Sequence, residues 1–135
     1  MSLASKMIAS WPSLALLILA VLLPVYGPFM AYAEGSWFPV TSPIAIVTSE
    51  PAKDGLDIRY SYTKYRNCEF VGVSAKIDGT EVGFEPVLSS PPGTRSTGQQ
   101  ISRLWHLDAP SLDGVRIYFT HRCHPFWIVA AKVYG

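Results

Sequence analysis

Charge is missing from the front of this sequence: between Lys6 and Glu34 there is no Asp, Glu, Lys or Arg. So long an uncharged stretch excludes a water-facing segment and calls for an apolar environment. The remainder lacks an excess of either sign. All ten acidic residues and all but one of the eleven basic ones fall from Glu34 onward, so that part is formally neutral. A nucleic-acid-binding surface needs a basic balance and a basic face, and no nucleic-acid partner is expected.

Catalytic signatures are also missing. The sequence contains no G-x-S-x-G elbow, no glycine-rich phosphate loop and no N-x-S/T sequon. Ser61-Tyr-Thr-Lys64 matches S-x-x-K, but that chemistry needs both side chains on one helical turn, and the segment reads as a strand. Glu81, Glu85 and Asp108 could be imagined as paired carboxylates; they read as solvated strand and turn residues. The expectation is a non-enzymatic protein with no cofactor and no small-molecule substrate.

What is present first is the apolar leader. Trp11 to Ala33, WPSLALLILAVLLPVYGPFMAYA, is a 23-residue uncharged stretch, and about 20 residues suffice to span a bilayer as a helix. Lys6 before it predicts the N-terminus on the cytosolic side and the C-terminus outside. Two readings compete. As an anchor, the segment persists as a single transmembrane span, kinked near Pro24. As a signal peptide, Gly27-Pro28 breaks the helix and Ala31-Tyr32-Ala33 is the small-x-small cleavage site before Glu34. No cysteine near the segment's end permits a lipoprotein. Both readings put residues 34 onward outside the cytosol: in the periplasm on an inner-membrane anchor, or periplasmic or secreted after cleavage at Ala33. The expected organisation is an anchor or signal over 1–33, a linker over 34–43 and one domain over 44–135.

That domain reads as strands. Leu56, Ile58, Tyr60 and Tyr62 alternate with Asp57, Arg59, Ser61 and Thr63, the period of a half-buried strand. Val115, Ile117, Phe119 and Cys123 form a second apolar row, and Val71, Val73, Ala75 and Ile77 a third. Asp78-Gly79 between alternating runs predicts a tight hairpin with positive φ at both positions, the second run being Thr80 to Glu85. Ile44–Ser49, Ile101–Asp108 and Phe126–Tyr134 are further candidates, and Asp54-Gly55 and Asp113-Gly114 look like turns. Pro86 to Gln100 is expected to be a long loop crossing between sheets, too rich in Pro, Gly and Ser for a strand. The whole predicts an all-β, antiparallel, immunoglobulin-like β-sandwich of about seven strands.

Cys68 and Cys123 in an exported domain are expected to pair. The alternative is a metal site, or a small hydrolase, using His121, Cys123 and His124, with Cys68 completing a ligand set. Strand alternation opposes it, because His121 and Cys123 point one way and His124 the other. Tryptophan soon after the first cysteine and tyrosine two before the second mark true immunoglobulin domains; here the next tryptophan is Trp105 and the second position holds His121.

The segment His121-Arg-Cys-His-Pro-Phe-Trp127 gathers two histidines, an arginine and two large aromatics at one end of the expected disulfide. Arg122, His124, Phe126 and Trp127 form the candidate binding surface, since arginine and aromatics concentrate at binding hot spots. The competing reading packs Phe126 and Trp127 in the core beside the cystine. His121 lies on the apolar side of its strand and reads as a buried, hydrogen-bonded histidine.

Arg66-Asn67-Cys68-Glu69 after an alternating strand, with Cys123-His124-Pro125-Phe126 near the C-terminus, resembles uncharacterised small proteins of tailed phages and their bacterial hosts. Those have an N-terminal apolar segment and a β-sandwich-like domain with two cysteines. The likeness runs from Leu56 to the end and implies an envelope setting and a disulfide; no activity comes with it. The function expected is a membrane-tethered protein-interaction module, possessing a membrane contact through its helix and a protein partner in the envelope.

Overall fold

A computed structural model describes residues 3–88 and 95–135, residues 3–11 as backbone only. The chain forms one helix, α1 (Leu3–Trp37), followed by β1 (Ala45–Ala52), β2 (Gly55–Lys64), β3 (Glu69–Ile77), β4 (Thr80–Val82), β5 (Phe84–Pro86), β6 (Gly98–Ile101), β7 (Trp105–Leu107), β8 (Val115–Arg122) and β9 (Val129–Tyr134). The helix is continuous through Pro24 and Pro28, so the break at Gly27-Pro28 that the signal-peptide reading called for is not there. Each proline lacks only one backbone donor, and a helix can absorb that when flanking turns remain intact.

Two antiparallel sheets enclose one core. The first has the order β1-β2-β7-β5, with β6 also on β2; the second runs β4-β3-β8-β9. Nine strands rather than about seven arise because two expected runs are interrupted. Thr80 to Glu85 breaks at Gly83, where the chain leaves one sheet (Val82 against Ala75) and joins the other (Phe84 against Leu107). Glycine suits the crossing, because a side chain there would collide with that of Asp108, whose N–H donates to the Gly83 carbonyl. Ile101 to Asp108 breaks at Ser102. Its backbone N–H donates to the Tyr60 carbonyl (2.7 Å) and its hydroxyl accepts the Tyr60 N–H (2.8 Å), so β6 and β7 lie end to end along β2.

The row Leu56, Ile58, Tyr60 faces Val115, Ile117 and Phe119 across the core. Phe84 stacks on Trp105 at 4.9 Å, and Phe119 meets both Tyr60 and Tyr62 within 6 Å. In β3 the inward residue is Phe70 rather than the expected Val71, which is exposed. A bulge between Phe70 and Gly72 shifts the alternation by one residue. Asp78 and Gly79 both have positive φ (49° and 84°), as the hairpin reading requires.

The expected loop over 86–100 is shorter than the sequence suggested and joins two strands of the first sheet instead of crossing between sheets: Pro86 closes β5 and Gly98 opens β6, while its centre, 89–94, lies outside the described residues. Residues 34–43, expected as a linker, are laid against the domain. Val40 is 1% exposed, Thr41 bridges to Lys64, and the Ser42 N–H donates to the Thr63 carbonyl.

Candidate functional site: the helix–domain junction

Cys68 and Cys123 are disulfide-bonded, with Cα atoms 4.5 Å apart. The β3–β8 ladder ends at Glu69 opposite Arg122, which makes the cystine the next rung of the same sheet. About 4.5 Å is the spacing of a directly opposed, non-hydrogen-bonded pair. The bond therefore clasps two neighbouring strands, unlike the immunoglobulin bridge that joins two sheets. It fixes the end of one connection, Tyr65–Cys68 between β2 and β3, and the start of another, Cys123–Ile128 between β8 and β9.

Both connections converge on the last turn of α1. Glu34 Oε1 accepts from Arg66 Nη2 at 2.7 Å. Its Oε2 accepts from Trp127 Nε1 at 2.6 Å and meets His124 Nε2 at 2.9 Å. A carboxylate can only accept, so Nε2 carries the proton. The other ring nitrogen, Nδ1, accepts the Phe126 N–H at 3.3 Å, consistent with that tautomer. Trp127 stands edge-on to His124, their centroids 4.1 Å apart, and also meets Tyr26 on the helix at 6.2 Å. Arg66 additionally donates to the Phe38 carbonyl. The Glu34 side chain is 12% exposed, so a carboxylate with little water is held by three donors. Gly35 lets the helix approach β9: a Cβ there would lie 3.1 Å from Val129 Cγ1.

The four residues expected as a binding surface thus divide. His124 and Trp127 turn toward Glu34 and fasten the helix. Arg122 pairs loosely with Glu69 at 3.7 Å, both side chains well exposed, a geometry that contributes little. Phe126 is 81% exposed and packs in no core. Glu34 and Arg66 were not among the expected site residues. The available signal was a lone carboxylate ending an uncharged stretch, a position where a charge calls for a partner.

His121 is buried against the edges of Phe70 and Phe119. Burial, reinforced by the nearby Lys64 charge, pushes its pKa down to about 4. Lys64 takes the next inward position after Tyr62, and its ammonium donates to the carbonyls of Cys68 (2.9 Å) and Arg95 (2.7 Å). Burial lowers its pKa as well. With Cys123 bonded to Cys68, no thiolate is available to the His121–Cys123–His124 ligand set. Among the described residues no group of three or more His, Cys, Asp and Glu side chains is placed to hold a metal ion.

A second polar cluster lies at the opposite end of the strands. His106 on β7 holds Asp57 of β2 through Nδ1 at 2.7 Å and Asp108 through Nε2 at 3.3 Å. The hydrogen bond it donates to Asp57, opposed by partial burial and aided by the surrounding carboxylates, raises its pKa. Nδ1 is hydrogen-bonded to Asp57 and Asp108 faces Nε2 by charge, so the cluster works as a cross-strand pin.

Comparison of the chain with protein-family models, curated proteins and solved structures finds no match. Fold and site define a two-sheet, disulfide-clasped β domain fastened to a helix whose 26-residue segment Pro12–Trp37 is long and apolar enough to cross a membrane.

Proposed function

We propose that this chain is a single-pass anchor protein of a bacterial inner membrane, bacterial or phage-encoded, with its N-terminus in the cytosol. On this reading an immunoglobulin-like β-sandwich is displayed in the periplasm and works through contact with an envelope protein, without catalysis. The observation that carries the reading is the junction itself. The Ala33–Glu34 bond, the expected cleavage point, lies inside a continuous helix, with Ala33 only 7% exposed and Glu34 bound by three side chains. A peptidase needs that bond extended and accessible. Cleavage would also create an α-ammonium beside Arg66, in competition for the same carboxylate. An uncut chain avoids both difficulties, and the clasp then holds the domain at a set height and orientation above the bilayer.

The test is the mass of the mature protein from membranes. An intact N-terminus is expected; an N-terminus at Glu34 would establish the released periplasmic module in its place. The disulfide fits delivery to an oxidising compartment. Exposed apolar side chains on the domain, among them Val47, Val71 and Ile101, offer a partner more contact than the junction does, since His124 and Trp127 are engaged by Glu34.

A further inference from the structure

We propose that the β8–β9 connection is a lipid-contacting tip, seating Phe126 in the interfacial layer of the bilayer that α1 crosses. The inference rests on the reading of α1 as a membrane span, and its partner is a lipid surface of ordinary apolar and headgroup chemistry.

Position comes first. Trp127 touches Glu34 and Tyr26 together. Those residues are eight apart on one helix, about 12 Å along its axis. A loop in contact with both runs down the side of the helix toward the N-terminus, instead of rising away with the domain. Glu34 is the first charge after Lys6 and therefore marks the upper limit of the hydrocarbon. The loop beside Tyr26 lies at or below that limit.

Composition agrees. Phe126 is more exposed than any other large hydrophobic side chain among the described residues. Tyr32 and Trp37 on the helix are also widely exposed, and aromatic rings collect at the membrane–water boundary.

Polar satisfaction is the third and independent observation. A segment entering a poorly hydrated layer must not carry unpaired donors. Here the Trp127 indole N–H and the His124 Nε2–H both donate to Glu34, and the Phe126 N–H donates back to His124 Nδ1. Three donors of the loop are thus paired within the junction, and a phenyl ring stands outermost. The disulfide at Cys123 holds its base in place.

The experiment uses the full chain with ring-labelled phenylalanine in bicelles of phosphatidylcholine and phosphatidylglycerol. Phenylalanine signals are recorded with a nitroxide on the lipid acyl chain, then with a water-soluble gadolinium chelate. The Phe126→Leu variant assigns the Phe126 signal; buried Phe84 and Phe119 serve as references, and Phe29 on α1 reports the span. Loss of the Phe126 and Phe29 signals to the lipid nitroxide, with both spared by the chelate, is the result expected. Phe126 lost to the chelate while Phe29 is lost to the lipid overturns the tip and leaves the span standing. Phe126 spared by both agents, with Phe29 still lost to the lipid, means that protein or a second copy covers the ring, and also overturns the proposal. Phe29 spared by the lipid nitroxide removes the span and the tip together.

Discussion

Replacing Glu34 by alanine should release the helix from the domain while leaving the domain folded. The carboxylate receives Arg66, Trp127 and His124 within 3 Å and is largely shielded from water. A hydrogen bond to a charged group is worth about 1.5–3 kcal/mol. Simple addition overstates the loss, because Arg66 is one-third exposed and keeps its bond to the Phe38 carbonyl. A net loss of about 3 kcal/mol in the docking equilibrium is the reasonable figure, roughly a hundredfold more undocked helix. Hydrogen exchange of the full chain in detergent micelles reads this directly. Amides at 35–38, 124 and 126–128 should exchange roughly a hundredfold faster, while those of the β3–β8 ladder keep their protection. Glu34→Gln retains an acceptor for Trp127 but loses the charge facing Arg66, and should fall between wild type and alanine. Unchanged exchange at both segments in Glu34→Ala would refute the clasp and leave Gly35–Val129 packing as what holds the helix. An equal rise throughout the ladder would instead make Glu34 part of the global fold.

Three further outcomes are expected. Converting Cys68 and Cys123 to serine should lower the stability of the domain by about 4 kcal/mol, since the bond closes a separation of 55 residues; a denaturant midpoint unchanged from the oxidised wild type would count against that. Gly55→Ala should be strongly destabilising, because a Cβ there collides with the Leu107 backbone carbonyl, whereas Gly72→Ala, with open space around it, should be tolerated; melting temperatures of the pair decide. His121 binds its proton near pH 6.5 when unfolded but only near pH 4 when folded, so between these values acid favours the unfolded chain. Stability should be full above about pH 6.5 and fall by about 3 kcal/mol on the way to pH 4, and His121→Phe should remove most of that slope in unfolding measured across the range.

Local alternation was readable wherever one residue's environment depends on its neighbours along the strand. Leu56–Ile58–Tyr60 and Val115–Ile117–Phe119 both face the core as their period implies. The reading failed where distant chain intervenes. The one local cue to the bulge that hands Val71's place to Phe70 is Gly72, a glycine inside a strand pattern, and alternation alone passes over it. Lys64 extends the inward row of β2 although lysine ordinarily ends one, and it can do so because carbonyls at Cys68 and Arg95 receive its ammonium. The pairing of the cysteines was legible, but not that they form a rung within one sheet, since that depends on β3 and β8 being neighbours.

Glu34 shows the same division most sharply. By position alone it is both the first residue after a credible cleavage site and the first charge beyond an apolar span, and the two meanings predict the same letters. Its partners support the anchor role proposed above, and two of them, His124 and Trp127, lie 90 and 93 residues further along. A carboxylate needed only as a polar start to a mature chain would be solvated and unpaired. One that must remain charged beside an apolar helix needs donors brought to it, and the cystine supplies them by fixing the bases of the two connections that carry Arg66, His124 and Trp127. The disulfide and the helix end are then parts of one device: the covalent bond orients the donors, and the donors orient the domain on its helix.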